Sequence, residues 1–449
     1  MSIFKAYDVR GTYPEQVNES LFEAIGQAAP QVLKCDLAVV GRDMRESGVP
    51  LSQAMIRGLS KAGVEVIDIG MASTPMLYFA TVFFKAGAGV QVTASHNPAA
   101  YNGCKWCRED AIPVASDSGL ADIGKLALKN VFTQAAKPGS VRREDVAGEY
   151  RANLLKYAIG IKPLTVVIDA GNGVMGSFLP RLLEKLPCEL IPMYFEPDGT
   201  FPHHEANPIK EENLRDLTAK VRESGADLGV AFDGDGDRSA YVDERGEIIP
   251  ADFVTALLAG EMLAREPGAT IFYDLRSSRS CREEVERLGG VAKMCRVGHS
   301  FIKAMMREEK AIFAGELSGH FYFRDLNYTD NAEMAMLSVL TALSKSGKKL
   351  SELIAPFRKY FATGEINFIV DDAAAVLAKI EDAYKSRARE TGHLDGLSLY
   401  FDDYWMNIRA SNTEPVLRLN LEADTAEVRA RALAEVEKAI GGKRADAGH

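Results

Sequence analysis

A serine that follows an apolar, strand-like run is the first candidate for chemistry in this sequence. The run at residues 88–93 leads into Ser95 and His96, and Pro98 ends any continuation as strand or helix. A serine on a tight turn beside a histidine is suited to act as a nucleophile. Ser-His pairs at strand ends are also ordinary turn residues, so this segment alone leaves both interpretations open.

Three aspartates spaced two residues apart form the second candidate. Asp233, Asp235 and Asp237 alternate with glycine after the strand-like run 228–232. Side chains two apart on an extended chain point the same way, and glycine lets the loop curl so that the carboxylates converge. Such oxygen ligands suit Mg²⁺ or Ca²⁺, and Mg²⁺ commonly lies between carboxylates and a phosphate, which points to phosphoryl transfer. An EF-hand is excluded because Arg238 stands where that loop needs glycine; an acidic, glycine-rich turn is the alternative to a metal site.

A third loop, after a strand-like run at 311–314, offers groups for a sugar. Glu316, Ser318 and His320 supply donors and acceptors that suit sugar hydroxyls, although an ordinary polar turn explains these residues equally well. The stretch 295–303 adds His299 and Lys303 beside a helix start.

The fourth loop, residues 409–415, has the composition of a phosphate cradle. Arginine, hydroxyls and backbone N–H groups occur together there, and Arg418 lies on the next strand. By itself the loop is slightly more typical of a hairpin turn. The candidate phosphate ligands are Arg409, Ser411, Asn412, Thr413 and Arg418.

The elements around these loops predict an α/β protein. Strand, polar turn and helix recur three times, with strands predicted at 37–40, 164–169 and 269–274. Ligands of such sheets lie beyond the carboxyl ends of the strands, so the loops are expected to face one cleft. The last segment, from residue 363, predicts a small α+β domain whose closing helix starts at Asp424, with Glu427 completing a capping box.

Length and composition narrow the class of protein. The 449 residues suggest about three domains. The formal charge of -10 argues against a nucleic-acid partner. No run approaches the length of a membrane helix, and the N-terminus does not resemble a signal peptide. Six scattered cysteines suggest free thiols in a reducing cytosol, with Cys104 and Cys107 expected as incidental thiols on a loop.

The four loops together resemble the α-D-phosphohexomutase family. That family carries a T-A-S-H-N-P serine loop, a D-G-D-G-D-R metal loop, a G-E-x-S-G-H sugar loop and an R-x-S-N-T-E-P phosphate loop, all present here in that order. The resemblance implies four domains around a central cleft, three with related mixed α/β sheets and a C-terminal α+β domain. The expected boundaries are 1–145 for the serine loop, 146–251 for the metal loop, 252–362 for the sugar loop and 363–449 for the phosphate loop.

The resemblance also implies a mechanism. Ser95 is expected to be a phosphoserine that joins the three aspartates around Mg²⁺ and exchanges phosphate with a hexose phosphate through a 1,6-bisphosphate, with glucose 1,6-bisphosphate as activator. The expected charge-stabilising residues are Arg10, Lys105 and Arg238, and the proton carriers are Lys105 or His299. The expected substrate contacts are Glu316, Ser318, His320, Arg409, Ser411, Asn412, Thr413 and Arg418. The family often has lysine where this chain has Arg276.

The sugar loop is similar to that of bacterial phosphomannomutase/phosphoglucomutase enzymes, with phosphoglucosamine mutase as the alternative. The expected protein is a cytoplasmic monomer or homodimer that binds a hexose phosphate and neither nucleic acid nor membrane. A serine hydrolase or phosphatase is disfavoured because Ser95 lacks a G-x-S-x-G setting. A non-catalytic sugar-phosphate-binding protein is disfavoured because the serine and all three aspartates are intact.

Overall fold

Four β-sheets follow one another along the chain, and the computed structural model describes residues 3–133, 135–410 and 416–445. The first sheet contains β1 (Val9–Thr12), β2 (Leu37–Arg42), β3 (Glu65–Met71), β4 (Ala88–Val92), β5 (Tyr101–Arg108) and β6 (Val141–Arg143), with helices α1 (Glu19–Leu33), α2 (Gly48–Lys61), α3 (Thr74–Phe83) and α4 (Leu120–Lys129). Its order is β1-β5-β4-β2-β3-β6, in which β4, β2, β3 and β6 are parallel and β5 is antiparallel to both of its neighbours, β4 and β1. The predicted strand–helix alternation is confirmed.

The second sheet repeats this pattern on a smaller scale. After helix α5 (Ala147–Leu155), it consists of β7 (Leu164–Asp169), α6 (Met175–Leu183), β8 (Cys188–Met193), α7 (Arg215–Ser224), β9 (Leu228–Phe232), β10 (Ser239–Asp243) and β11 (Ile248–Ile249). The order is β11-β10-β9-β7-β8, with β7, β8 and β9 parallel. All five residues of β9 are buried, which places the aspartate loop at the end of a central strand.

The third sheet is also mixed and packs against a buried helix. Its elements are α8 (Ala251–Arg265), β12 (Thr270–Asp274), α9 (Arg279–Arg287), β13 (Val291–Cys295), α10 (His299–Glu309), β14 (Phe313–Gly315), β15 (Phe321–Phe323), β16 (Thr329–Asp330), α11 (Ala332–Ser346) and α12 (Leu350–Ile354). The order is β13-β12-β14-β15-β16. Helix α11 is buried along nearly its whole length, so it belongs to the centre of the molecule.

The fourth sheet is antiparallel, as expected for an α+β domain. It contains β17 (Phe361–Ile369), α13 (Ala373–Tyr384), β18 (Glu390–Gly392), β19 (Leu397–Tyr400), β20 (Tyr404–Ala410), β21 (Val416–Ala423), α14 (Ala426–Ile440) and β22 (Lys443–Arg444). The predicted start of α14 at Asp424 is wrong. Thr425 is the cap, because its side chain accepts a hydrogen bond from the Val428 N–H.

The apolar core is divided unequally between the sheets. One cluster of buried side chains runs continuously from the first sheet through the second to the third. The fourth sheet has a separate cluster, formed with α13 and α14. The first three sheets therefore share a core, and the fourth is a unit with its own.

Five of the six cysteines are buried, and Cys188 is partly exposed. Cys104 and Cys107 both lie on β5, so the expectation of a loop is wrong. Three residues apart on a strand, they point to opposite faces of the sheet, each into a different apolar cluster. All six cysteines are free thiols. Among the described residues, none of the helices combines the length and apolarity needed to cross a bilayer.

Candidate active site

Ser95 is held in an unusual backbone conformation at the end of β4. The residue is buried, and its φ of +51° lies in the left-handed region, which costs a non-glycine residue about 1–3 kcal/mol. The Ser95 N–H donates to Thr93 Oγ1 at 2.8 Å, and the Thr93 hydroxyl donates to Asp43 Oδ2 at 2.7 Å. These bonds hold the turn in place and fix the direction of the serine side chain.

Arg45 clamps the backbone of the serine loop. Its side chain is 1% exposed and pairs with Asp43 at 3.2 Å. The guanidinium lies 5.0 Å from the Phe201 ring centroid, which connects the clamp to the second sheet unit. Four loop carbonyls accept hydrogen bonds from it at 2.5–3.0 Å, those of Ser95, Asn97, Pro98 and Tyr101. One buried cation thus fixes the whole turn.

The three predicted aspartates converge beneath Ser95. Asp233, Asp235 and Asp237 are buried, and each offers an oxygen within 4.8 Å of the others. Ser95 Oγ lies 2.8 Å from Asp233 Oδ2. The glycines are required because a Cβ on Gly234 would lie 2.7 Å from the Ser95 carbonyl oxygen, and Gly236 has a φ of +75°. The structure therefore joins two loops that are 138 residues apart in sequence.

Lys105 and Thr74 complete the polar contacts of the aspartates. Lys105 Nζ bridges Asp235 and Asp237 at 2.8 and 2.6 Å. Thr74, at the start of α3, donates its hydroxyl to Asp235 at 2.6 Å. The site thus holds three carboxylates against one directly bound lysine.

These residues fit a divalent cation with oxygen ligands. Asp235 Oδ1 is buried and has no hydrogen-bond partner among the described residues. Burial and the charges of Asp237 and Asp235 raise the pKa of Asp233 well above its usual range. A cation among the three carboxylates would relieve this repulsion, and the all-oxygen donor set suits Mg²⁺.

The sugar-loop residues lie directly beside the aspartates. His320 Nε2 is 3.5 Å from Asp237 Oδ1, and His320 Nδ1 is 3.2 Å from Glu316 Oε2 and 2.8 Å from Ser318 Oγ. Burial and the Arg238 guanidinium oppose protonation of His320, but the two carboxylates outweigh them and raise its pKa to about 9. The third loop is therefore joined to the metal loop through His320.

Arg10 and Arg238 lie at the edge of this cluster. Arg10 donates to the Asn97 side chain and pairs with Asp8. The Arg238 N–H donates to Asp233 Oδ1 at 3.1 Å, and Arg238 Nε lies 3.2 Å from His320 Nε2. Burial lowers the pKa of His96 well below its usual range, and the positive charges of Arg238 and Arg10 lower it further, so both cations lie near the serine loop.

His299 begins α10 on the same side of the cleft. Its ring packs edge-on against Tyr7 at 5.2 Å and lies 6.4 Å from the ring of His320. Burial and the nearby cation of Lys303 lower the pKa of His299 well below its usual range. Lys303 itself is fully buried, with its ammonium 3.0 Å from Asp330 and 3.1 Å from the Tyr78 hydroxyl. It therefore fixes α10 against the first sheet unit.

The predicted phosphate residues that the structure describes converge on one carboxylate. Arg409 and Arg418 bond to Glu365 at 2.9 and 3.0 Å, and Arg276 approaches it at 3.4 Å. Arg276, whose role the sequence left open, also pairs with Asp274. The predicted ligands Ser411, Asn412 and Thr413 lie outside the described residues.

Three residues of the site were missed by sequence reasoning. Thr74 precedes Pro75, which indicates only a helix start, and Arg45 lies in a polar stretch after the strand-like run 37–40, which indicates only a turn. Glu365 is a single acidic residue in a strand, and nothing in the local sequence distinguishes it. Only its pairing with Arg409 and Arg418 reveals it.

Comparison with known proteins identifies the family. Four family models describing domains I, II, III and the C-terminal domain of phosphoglucomutase/phosphomannomutase match residues 1–132, 148–246, 250–360 and 365–439. The chain belongs to this family, and it is accordingly an enzyme of the phosphohexomutase class, an intramolecular phosphotransferase.

Similar proteins cover nearly the whole chain. A protein of Xanthomonas campestris pv. campestris (strain B100) described as phosphohexose mutases is 41% identical, over 93% of this chain and 94% of its own. A phosphomannomutase of Escherichia coli is 40% identical, over 96% and 97%. The solved phosphoglucomutase/phosphomannomutase family protein of Burkholderia thailandensis is 34% identical and superposes with a TM-score of 0.91, covering 98% of both chains.

Proposed function

We propose that this enzyme interconverts the 1- and 6-phosphates of mannose, glucose or both, through a phosphoserine at Ser95. The observation that carries the proposal is the 2.8 Å contact between Ser95 Oγ and Asp233 inside the three-carboxylate cluster. The relatives named phosphomannomutase support the choice of mannose. We further propose that the four domains divide at residues 145, 251 and 362, as predicted.

In the proposed reaction, the phosphoryl group of Ser95 passes to the free hydroxyl of a hexose phosphate and leaves a 1,6-bisphosphate in the cleft. The bisphosphate turns around and returns its other phosphoryl group to Ser95. Mg²⁺ held by the three aspartates would neutralise charge on the group in transfer. Arg10 and Arg238 face the same space and would stabilise that charge from the protein side.

His299 is the better candidate of the two predicted proton carriers. A base that accepts a proton from the sugar hydroxyl must be uncharged, and the pKa of His299 is lowered. Its Nδ1 is buried without a hydrogen-bond partner among the described residues. Lys105 is engaged by Asp235 and Asp237, which favours its charged form and a role in holding the metal loop.

The remaining roles concern the two ends of the substrate. The sugar hydroxyls would be contacted, in both orientations of the substrate, by Glu316, Ser318 and His320. The phosphate that is not in transfer would be held by Arg409 and Arg418, with Ser411, Asn412 and Thr413 as predicted partners. Glucose 1,6-bisphosphate would act as activator by loading Ser95. Phosphoglucosamine mutase is the alternative activity.

Phosphorus NMR tests the proposal. The enzyme, with Mg²⁺ and a trace of glucose 1,6-bisphosphate, is supplied in turn with the 1-phosphates of mannose, glucose and glucosamine. The 6-phosphates of mannose or glucose are expected, and the Ser95→Ala variant should form none while keeping the wild-type circular dichroism spectrum. Conversion of glucosamine 1-phosphate alone would favour the alternative. Free phosphate would indicate a phosphatase, and no change would indicate a binding protein.

A further inference from the structure

Two arginines of the fourth sheet face each other as a like-charge pair. Arg409 on β20 and Arg418 on β21 are direct cross-strand partners, so their side chains share one face of the sheet. Like charges placed directly opposite each other destabilise an antiparallel pair. An anion on this face is therefore needed whether or not a substrate is bound.

Glu365 supplies that anion within the protein. It lies on β17, two residues from Asn367, the partner of Arg418 in the adjacent strand pair. Its two carboxylate oxygens are divided between the arginines, with Oε2 bound to Arg409 and Oε1 to Arg418. The carboxylate thus bridges the pair, as a phosphate with several oxygens would do.

The charge balance at this position limits how much positive charge a ligand meets. Arg276 is already paired with Asp274, whose oxygens lie 3.0 Å from its Nε. Glu365 places one negative charge between the two positive charges of Arg409 and Arg418. Burial alone would raise the pKa of Glu365, but the three guanidiniums outweigh it and lower the pKa, so the carboxylate is ionised at neutral pH.

Glu365 also reaches the surface where a ligand would arrive. Its side chain is 22% exposed, whereas those of Arg276 and Arg409 are 8% and 4% exposed. The Nε of Arg409 is buried and has no hydrogen-bond partner among the described residues. Glu365 therefore lies beside Arg409, which keeps an unused donor, and stands next to any anion that uses it.

We propose that Glu365 competes with the substrate phosphate for Arg409 and Arg418 and so limits how tightly this subsite holds it. The inference rests on the proposed function, in which these two arginines bind the phosphate that is not in transfer. A mutase whose bisphosphate must turn around has to let go of that phosphate in every cycle. An internal carboxylate makes release easier because it replaces the departing anion on both guanidiniums.

Inorganic phosphate is the probe for this subsite. Calorimetric titration should show that Glu365→Gln binds phosphate at least five-fold more tightly than the wild type, and turnover of hexose 1-phosphate should show a lower KM together with a lower kcat. Glu390→Gln is the matched control, because it removes the same charge from an exposed strand position of the same domain, and it should leave all three values unchanged. Unchanged or weaker phosphate binding by Glu365→Gln would overturn the proposal and make Glu365 a residue that only positions the arginines.

Two further variants keep the test decisive. Glu365→Asp retains the charge but withdraws the carboxylate by one methylene, so its phosphate affinity should lie between those of the wild type and Glu365→Gln. If Glu365→Gln does not fold, Glu365→Asp provides the test. In that case, a phosphate affinity of Glu365→Asp that is no higher than that of the wild type overturns the proposal. Arg409→Gln tests the underlying function separately. If it does not weaken phosphate binding, the phosphate subsite itself is misplaced, whereas loss of binding in Arg409→Gln with no gain in Glu365→Gln rejects only the competition.

Discussion

At the scale of single residues, the conformation of the serine loop depends on the buried guanidinium of Arg45. Arg45 bonds to four carbonyls of the loop and to Asp43, and Ser95 has a backbone conformation that the chain does not favour by itself. A shorter lysine could reach one or two of these carbonyls but could not form the planar, divergent set of bonds. The direction of the Ser95 hydroxyl therefore depends on Arg45 together with the bonds of Thr93 and Asp43.

We predict that Arg45→Lys lowers kcat about 100-fold, because a displacement of the nucleophile by about 1 Å has that effect. KM should change little, since Arg45 contacts no expected substrate group. Arg42→Lys, which alters a single bond to a backbone carbonyl nearby, is the control and should retain activity. The second readout is phosphate loss from phosphorylated Ser95 measured by mass spectrometry. Equal kcat values and equal rates of loss in Arg45→Lys and wild type would show that the loop is positioned by other contacts.

The aspartates permit a test of the metal. Asp235→Asn removes one charged ligand, so magnesium should bind at least ten-fold more weakly, because lost ligand charge weakens the binding of hard cations. Titration of activity against free Mg²⁺ measures the change, with the exposed Glu223→Gln as a control of equal charge. Addition of EDTA should abolish turnover of the wild type. Identical titration curves for the wild type and Asp235→Asn would remove this residue from the ligand set.

At the scale of elements, the buried helix α11 carries an acidic residue into the junction of the first three sheet units. Glu333 is fully buried, 3.4 Å from the hydroxyl of Ser73 at the start of α3 and hydrogen-bonded to Tyr150 of α5. Burial raises its pKa from 4.5 to about 8. The side chain is therefore protonated near neutral pH in the folded protein but ionised in the unfolded chain.

This difference predicts a pH dependence of stability. Between pH 4.5 and about pH 8 the folded protein holds a proton that the unfolded chain has lost, so the contribution of Glu333 to stability falls as pH rises. The loss is about 1.4 kcal/mol for each pH unit within this window. Glu333→Gln should remove this pH-dependent loss of stability. The difference in urea midpoint between Glu333→Gln and the wild type should therefore be larger at pH 8 than at pH 5. The exposed Glu308→Gln should keep the wild-type slope; the same slope in Glu333→Gln would mean that Glu333 is ionised in the folded protein.

Strands that appear as apolar runs were predictable from the sequence, whereas the residues that cap the helices were harder to predict. The strands predicted at 164–169 and 228–232 coincide with β7 and β9, because each is an apolar run bounded by polar turn residues. The start of α14 was misplaced by one residue because Asp424 and Thr425 are both good caps, and only the backbone decides between them. The convergence of the Ser95 and Asp233 loops had no local signal, since pairing between distant segments leaves no period in the sequence. The rule that ligands lie beyond the carboxyl ends of strands predicted one shared cleft, and the family resemblance placed Ser95 and the aspartates in one metal site within it.

At the scale of the whole molecule, the fourth domain is attached mainly by polar contacts. Its apolar cluster is separate from the one shared by the other three sheets. Arg279 of α9 forms two of these contacts, with Glu422 at 3.0 Å and Asp424 at 2.8 Å. Ion pairs are weakened by salt and easily re-formed, whereas a shared apolar core resists separation. This construction leaves the domain that carries Arg409 and Arg418 the freest to move against the rest of the cleft.

We therefore predict that Arg279→Gln loosens the fourth domain without unfolding it. The radius of gyration measured by small-angle X-ray scattering should increase, and KM should rise several-fold while kcat changes less, because the phosphate subsite is displaced from a reacting centre that stays intact. Arg282→Gln is the matched control, since that arginine lies on the same helix and, among the described residues, forms its ion pair with Glu286 of that helix. Part of the effect comes from leaving Glu422, which is 2% exposed, without its cation. The double variant Arg279→Gln/Glu422→Gln should then regain the stability of the wild type, while its KM stays raised. If both stability and KM return to wild-type values, the buried charge of Glu422, rather than the attachment of the domain, controls substrate binding.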